Sequence, residues 1–326
     1  MARQWFTVCT MALVMELVIT GAAQAGAVAP AKAVSGLLTD IASAGARQVA
    51  VGERGHVLLS DDQGRTWAQA PVPSQQLLTA VYFVDARHGW AVGHDTQILA
   101  TVDAGATWTR QFQDPARQAP LLSVHFLDAE HGFAVGAYGA VLSTEDGGQH
   151  WQDVSQRLDN PDQLHLNAII AVKDAGLLIV GEQGVIFRSA DAGLTWQRVQ
   201  GPYEGSLFGA VATAQARTLL MFGLRGHVFR SSDFGDSWHA IAVQGERGPL
   251  DTGLASARLL DDGALVLVGE GGTVLRSVDD GLSFSRVTRP DRQALAGAIA
   301  VSDGLLLVGE NGVHHTDNSG NEGQQP

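Results

Sequence analysis

Six aspartates recur in this chain at matched places of an eight-residue pattern, S/T-x-D-x-G-x-T/S/H-W/F: Asp62, Asp103, Asp146, Asp191, Asp233 and Asp279. Carboxylates repeated in this way are the first candidates for acid–base chemistry or for holding a metal ion. Their spacing points elsewhere. An Asp in this setting accepts backbone N–H groups a few residues ahead, as in an Asx-turn. The Gly two residues on supplies a left-handed backbone without a Cβ clash. Ser and Thr hydroxyls tie the arms of the turn, and the aromatic opens the next strand with a large apolar face. The six carboxylates are therefore expected to be structural, consumed in their own turns.

Other chemistry is sparse. Of eleven histidines, only His314 and His315 are adjacent, and His88 and His131 hold equivalent turn positions. Metal-ligand spacing on one short element is absent, so no metal is expected. No P-loop or dinucleotide fingerprint precedes a helix, so no cofactor is expected. Arg188, Arg230 and Arg276 each precede a pattern serine, which argues for a structural role between repeats.

The pattern dictates the architecture. From Gly64 to Gly320 the pattern glycines step by 41, 43, 45, 42, 46 and 39 residues, the last copy (Thr316, Asn318, Gly320) lacking Asp and aromatic. Such a period marks an array or a propeller. Each unit reads as four strands. In the second, residues 77–84, 90–92, 98–101 and 108–112 are strands joined by Gly-rich turns. A second turn, G-x-x-G, recurs at Gly52/Gly55, Gly136/Gly139, Gly181/Gly184, Gly223/Gly226, Gly269/Gly272 and Gly309/Gly312, with Thr96 standing in the second unit. No sustained helical period appears. The expected fold is all-β, a seven-bladed propeller of four-stranded blades over residues 26–317. The seventh unit stops after three strands, and residues 28–35 are expected to supply the fourth and close the ring. Residues 318–326 are polar and expected to be a disordered tail.

Chain direction sorts the loops. The Asp turns fall on one rim. The G-x-x-G turns fall on the other, with the longer links between blades, residues 111–120, 153–164 and 243–252. That second rim is the expected binding face. Its candidate binding residues are the variable turn positions Arg54, His94, Tyr138, Gln183, Arg225 and Asn311, because polar and aromatic side chains near a propeller axis can grip a peptide.

The N-terminus reads as a signal peptide at 1–25: Arg3, an apolar run from Trp5 to Ile19, and Ala23-Gln24-Ala25 as the cleavage site. The protein is expected to be exported, and the only cysteine, Cys9, lies in the removed segment. A formal charge of −13, with only Lys32 and Lys173 as lysines, disfavours nucleic acid as a partner. The apolar run is too short for membrane insertion. A monomer is expected.

The octet resembles the Asp-box, or BNR, repeat. Asp-boxes occur in sialidases, whose site needs three arginines on one carboxylate, a Tyr paired with Glu, and an acid/base Asp. Of three tyrosines, Tyr82 falls in an inner strand and reads as core, and no Arg-Ile-Pro opens the first blade. A sialidase-like glycoside hydrolase or a glycan-binding propeller is the alternative reading. The longer unit, V-G-x-x-G-x-[VI]-[LF]-x-S-x-D-x-G-x-T-W, as in residues 180–196, and the turns at 88–93 and 131–136 are similar to the photosystem II stability/assembly factor family and its relatives in non-photosynthetic bacteria. The resemblance spans residues 37–320. It implies an exported, non-catalytic propeller that holds a membrane-protein subunit or another envelope complex. It places the chain in the periplasm, or in the thylakoid lumen of a photosynthetic host, and implicates arginines in the grip.

Overall fold

The computed structural model describes residues 30–321. The expected signal peptide at 1–25 lies outside them, as do residues 26–29 and 322–326. Six four-stranded antiparallel sheets and one three-stranded sheet follow one another along the chain, each strand pairing with its neighbour in sequence. The innermost strands are Leu38–Ala44, Leu78–Phe83, Leu121–Phe126, Leu166–Val172, Leu207–Ala212, Leu254–Leu259 and Leu295–Val301. Each packs beside the next, and Leu295–Val301 lies against Leu38–Ala44, so the seven blades form a closed ring.

The second strand of each blade explains the core. Gly89–Gly93, Gly132–Gly136, Leu219–Gly223 and Leu265–Gly269 are buried at every residue. They are flanked by sheets on both faces, and their near-continuous apolar runs follow from that. Seven apolar clusters fill the spaces between neighbouring blades. Trp67, for example, leaves its turn in blade one to pack with Leu306 and Ile299 of blade seven.

One device recurs in all seven blades. The residue after the first turn glycine donates its N–H to the carbonyl just before the innermost strand, as Glu53 does to Leu37 and His94 to Leu77, both at 3.0 Å. The glycine is needed for this close approach. A Cβ at Gly93 would stand 2.1 Å from the Leu77 oxygen, and one at Gly269 the same distance from that of Gly253. A register shift follows in each innermost strand, as between Leu38 and Asp40. Such a bulge turns the strand start about its axis.

Two expectations at the termini are corrected. Residues 28–35 do not add a strand in their described part: Pro30–Ala33 is a helical turn and blade seven has three strands. The reason is local. Gly36 N–H donates to the Ala33 carbonyl, and the Ala33 side chain is fully buried in the cluster between blades seven and one. The Val34 carbonyl meets the edge, accepting Val313 N–H at 3.2 Å. At the other end, Asn318–Asn321 form an ordered turn. The Asp317 carboxylate accepts the N–H groups of Ser319 and Asn321 at 2.8 and 3.0 Å, and Gly320 packs against Val274.

Candidate functional site

The six Asp turns share one set of bonds. Asp62 Oδ1 accepts Thr66 N–H at 2.8 Å and its Oδ2 accepts the Thr66 hydroxyl at 2.6 Å. Ser60 Oγ donates to Asp62 and accepts Gly64 N–H, both at 2.8 Å. Asp103, Asp146, Asp191, Asp233 and Asp279 repeat the pattern. In the third, the His150 ring nitrogen replaces the hydroxyl at 2.6 Å. Hydroxyl donors, with backbone N–H groups adding to them, hold Asp62, Asp191 and Asp279 down to about 2. A carboxylate bound in this way is a poor general base at neutral pH.

The arginines before the turn serines divide. Arg188 reaches Asp236 at 2.7 Å and Arg230 reaches Asp280, both in the following blade. Arg276 instead pairs with Asp262 of its own blade at 2.8 Å, so its role is not between blades.

On the opposite rim, each G-x-x-G segment closes as a tight hairpin turn whose third residue is left-handed: Arg54, Asp95, Tyr138, Gln183, Arg225, Gly271 and Asn311, with φ between 51° and 62°. That conformation favours Asn, Asp or Gly. Arg, Tyr and Gln occupy it here against a cost of about 1–2 kcal/mol each. His94 is out of this register. It precedes the left-handed residue, and Asp95 is the true counterpart of Arg54. Where His94 stands, four other blades place a glutamate. Glu53, Glu182, Glu270 and Glu310 accept the N–H groups of Leu37, His165, Gly253 and Ala294. The recurring G-E-x-G was the legible signal for this bond.

Tyr138 is 59% exposed and leans edge-on against His165 of the next blade, with ring centroids 5.0 Å apart. Gln183 lies beyond Glu182 on that blade, so Tyr138 and Gln183 sit on adjacent blades. Arg54 and Arg225 sit on non-adjacent ones. Most arginines of this rim are engaged: Arg117 with Asp114 and Asp153, Arg292 with Glu246, Arg110 and Arg198 with carbonyls. Arg54, Arg225 and Arg247 are exposed and have no hydrogen-bond or ion-pair partner among the described residues. All three lie on the G-x-x-G rim.

Along the axis runs a cavity of about 400 Å³ lined by the innermost strands. Sequence reading missed its polar residues. Asp40, 15% exposed, accepts Ile41 and Val81 N–H groups and pairs with Arg258 at 3.3 Å. Burial pushes its pKa up, opposed by Arg258. Burial lowers His125 to about 4, so the ring is neutral at pH 7. Tyr82 was expected in the core. It lines this cavity, lies tilted against the His125 ring with centroids 4.7 Å apart, and donates to the Phe126 carbonyl. Among the described residues Asp40 is the one carboxylate lining this cavity. Among the described residues no cluster of His, Cys, Asp or Glu is arranged to hold a metal, and no helix is long and apolar enough to cross a membrane.

The closed ring and its loop-built rim define a seven-bladed β-propeller. The profile of the family described as Photosynthesis system II assembly factor YCF48 matches residues 59–119 and 111–252, and the chain belongs to that family. Over 62 residues it is 39% identical to the chloroplastic photosystem II stability/assembly factor HCF136 of Cyanidioschyzon merolae, a stretch covering 18% of this chain and 14% of that relative. Two solved structures share the fold at 18% identity: YCF48 from Cyanidioschyzon merolae (TM-score 0.67, covering 86% of this chain and 95% of that one) and YCF48 bound to a D1 peptide (TM-score 0.66, 86% and 92%). The WD40 propeller domain of Doa1 superposes nearly as well, with a TM-score of 0.65 at 14% identity over 85% and 91%. The fold alone therefore does not assign a function.

Proposed function

We propose that this protein is a non-catalytic, exported scaffold that holds an extracytoplasmic segment of a membrane protein, or a subunit of an envelope complex, on its G-x-x-G rim. It acts as a monomer in the periplasm, or in the thylakoid lumen where the host has one. Family membership supports an assembly-factor-like scaffold, and one of the similar solved structures is YCF48 bound to a D1 peptide. The observation that carries the reading is the set of exposed polar and aromatic side chains at matched turn positions of the G-x-x-G rim, Arg54, Tyr138, Gln183 and Arg225. Rigid blades fix these loops, so binding orders little and loses little entropy.

Crosslinking in intact cells, with affinity purification and mass spectrometry, tests it. The control carries Arg54→Gly and Arg225→Gly, because Gly keeps the left-handed turn where Ala would strain it. One dominant membrane-protein partner, lost in the control, is the expected result. A clean preparation without a protein partner, together with binding to a glycan panel, would replace this reading with the carbohydrate one.

A further inference from the structure

Blade seven differs from the rest at its outer edge. The other six blades end on a fourth strand, from the two residues Ala68–Gln69 to the four of Ser285–Thr288. Among the described residues the last strand of blade seven, Gly312–Thr316, has no strand on its outer side. Its outward groups are identifiable. Val313 N–H points away from the sheet to the Val34 carbonyl. Alternation then aims the Val313 carbonyl and both backbone groups of His315 the same way. Among the described residues these three groups have no backbone partner.

The blade clusters show what is missing there. Six contain the aromatic that follows an Asp turn: Trp67, Trp108, Trp151, Trp196, Trp238 and Phe284. The seventh, between blades six and seven, is built from Val266, Val268, Val274, Leu305, Leu307 and their neighbours, and has no aromatic. The turn that would deliver one is in place. Gly320 stands against Val274 of blade six as Gly64 stands against Leu306 of blade seven. Three residues on, where the other turns carry Trp or Phe, the chain has Gly323.

We propose that the open edge of blade seven docks an extended segment of a partner protein, which adds the missing strand and a large aromatic. The six sibling blades define the occupant: a short β-strand led by Trp or Phe. Main-chain bonds to Val313 and His315 give affinity, and the aromatic gives selectivity. The site lies on the ring's perimeter and is independent of the G-x-x-G rim.

The test uses the full chain and a fluorescein-labelled peptide of residues 106–113, the turn end and fourth strand of blade two. Fluorescence anisotropy should show saturable binding, weakened about tenfold or more when the Trp of the peptide is replaced by Gly. Hydrogen exchange should slow at residues 312–316 on peptide addition and nowhere on the rim. His315→Pro, tolerable on an edge strand, should abolish binding, while Arg54→Gly should leave it intact. Absence of saturable binding, or protection mapping away from 312–316, overturns the proposal. So does binding by a chain shortened after Asn321 when the full chain does not bind, because residues 322–326 then cover the edge themselves.

Discussion

Arg258 of blade six donates to the Ile41 carbonyl of blade one at 2.8 Å, and so bridges past the innermost strand of blade seven. The same guanidinium neutralises Asp40, 3.3 Å away. The last blade is thus stapled across the axis as well as packed through its faces.

Arg258→Ala is expected to destabilise the ring by about 2 kcal/mol at pH 7, below the roughly 3–5 kcal/mol of a fully buried pair because Arg258 is partly exposed. Adding Asp40→Asn should recover most of the loss. The folded pKa of Asp40 is raised by burial. Its contribution is thus greatest below the ordinary carboxylate value and is lost as pH rises through the folded value. The Arg258→Ala penalty should accordingly shrink on acidification. Urea unfolding of the single and double variants between pH 4 and pH 7 measures all three effects.

The Asp turns predict the opposite slope. Asp62, Asp191 and Asp279 are held at about 2 in the folded chain, against an ordinary 3.8. The stability they contribute is present above the ordinary value and is lost as pH falls toward the folded one. Acid unfolding should set in below about pH 4. Asp191→Asn should lower stability on the neutral plateau and flatten the stability–pH curve below about pH 4. Circular dichroism along an acid titration reads both.

Gly312 joins the first and last blades. Its φ is +88°, and a Cβ there would sit 1.6 Å from the Val34 carbonyl oxygen. Gly312→Ala should displace the N-terminal segment and destabilise the protein by about 2–4 kcal/mol. Limited proteolysis should then cut near residues 30–37. Intact resistance there, with unchanged unfolding, would show that the closure contributes little.

At the rim, Arg54→Gly should leave stability unchanged or raise it by up to about 1 kcal/mol, since Gly accepts the left-handed turn. Binding to the partner identified by crosslinking should fall two- to fivefold for each of Arg54→Gly, Arg225→Gly and Arg247→Gly, about 0.5–1 kcal/mol apiece. Salt should weaken the unsubstituted complex, and the triple variant should lose most of that dependence. Titrations at two ionic strengths give both numbers.

Much of this was legible because it repeats. The Asp turns, the G-x-x-G hairpins and the blade count follow from residue types at fixed intervals, and seven copies average out local noise. The rim residues were legible only in part. His94 and Asp95 cannot be told apart without knowing which residue of the hairpin is left-handed, and Thr96 hides the register that a glycine marks elsewhere. The axial group was not legible at all. Asp40, Tyr82, His125 and Arg258 come from four blades and occur once each. No spacing relates them, and only ring closure brings them together. The helical turn at Pro30–Ala33 was not legible, because nothing in residues 28–35 signals that Ala33 is buried between blades seven and one or that the Val34 carbonyl accepts Val313 N–H.

The Val34–Val313 bond also sets an order of events. The two halves of that contact are made at opposite ends of synthesis, with nearly the whole chain between them. Until the last strand has emerged, the blades form an open arc whose first and last faces are bare. A nascent chain of this protein therefore gains its final cooperativity in one late step, and a chain stalled before residue 312 remains the form most exposed to proteases and chaperones.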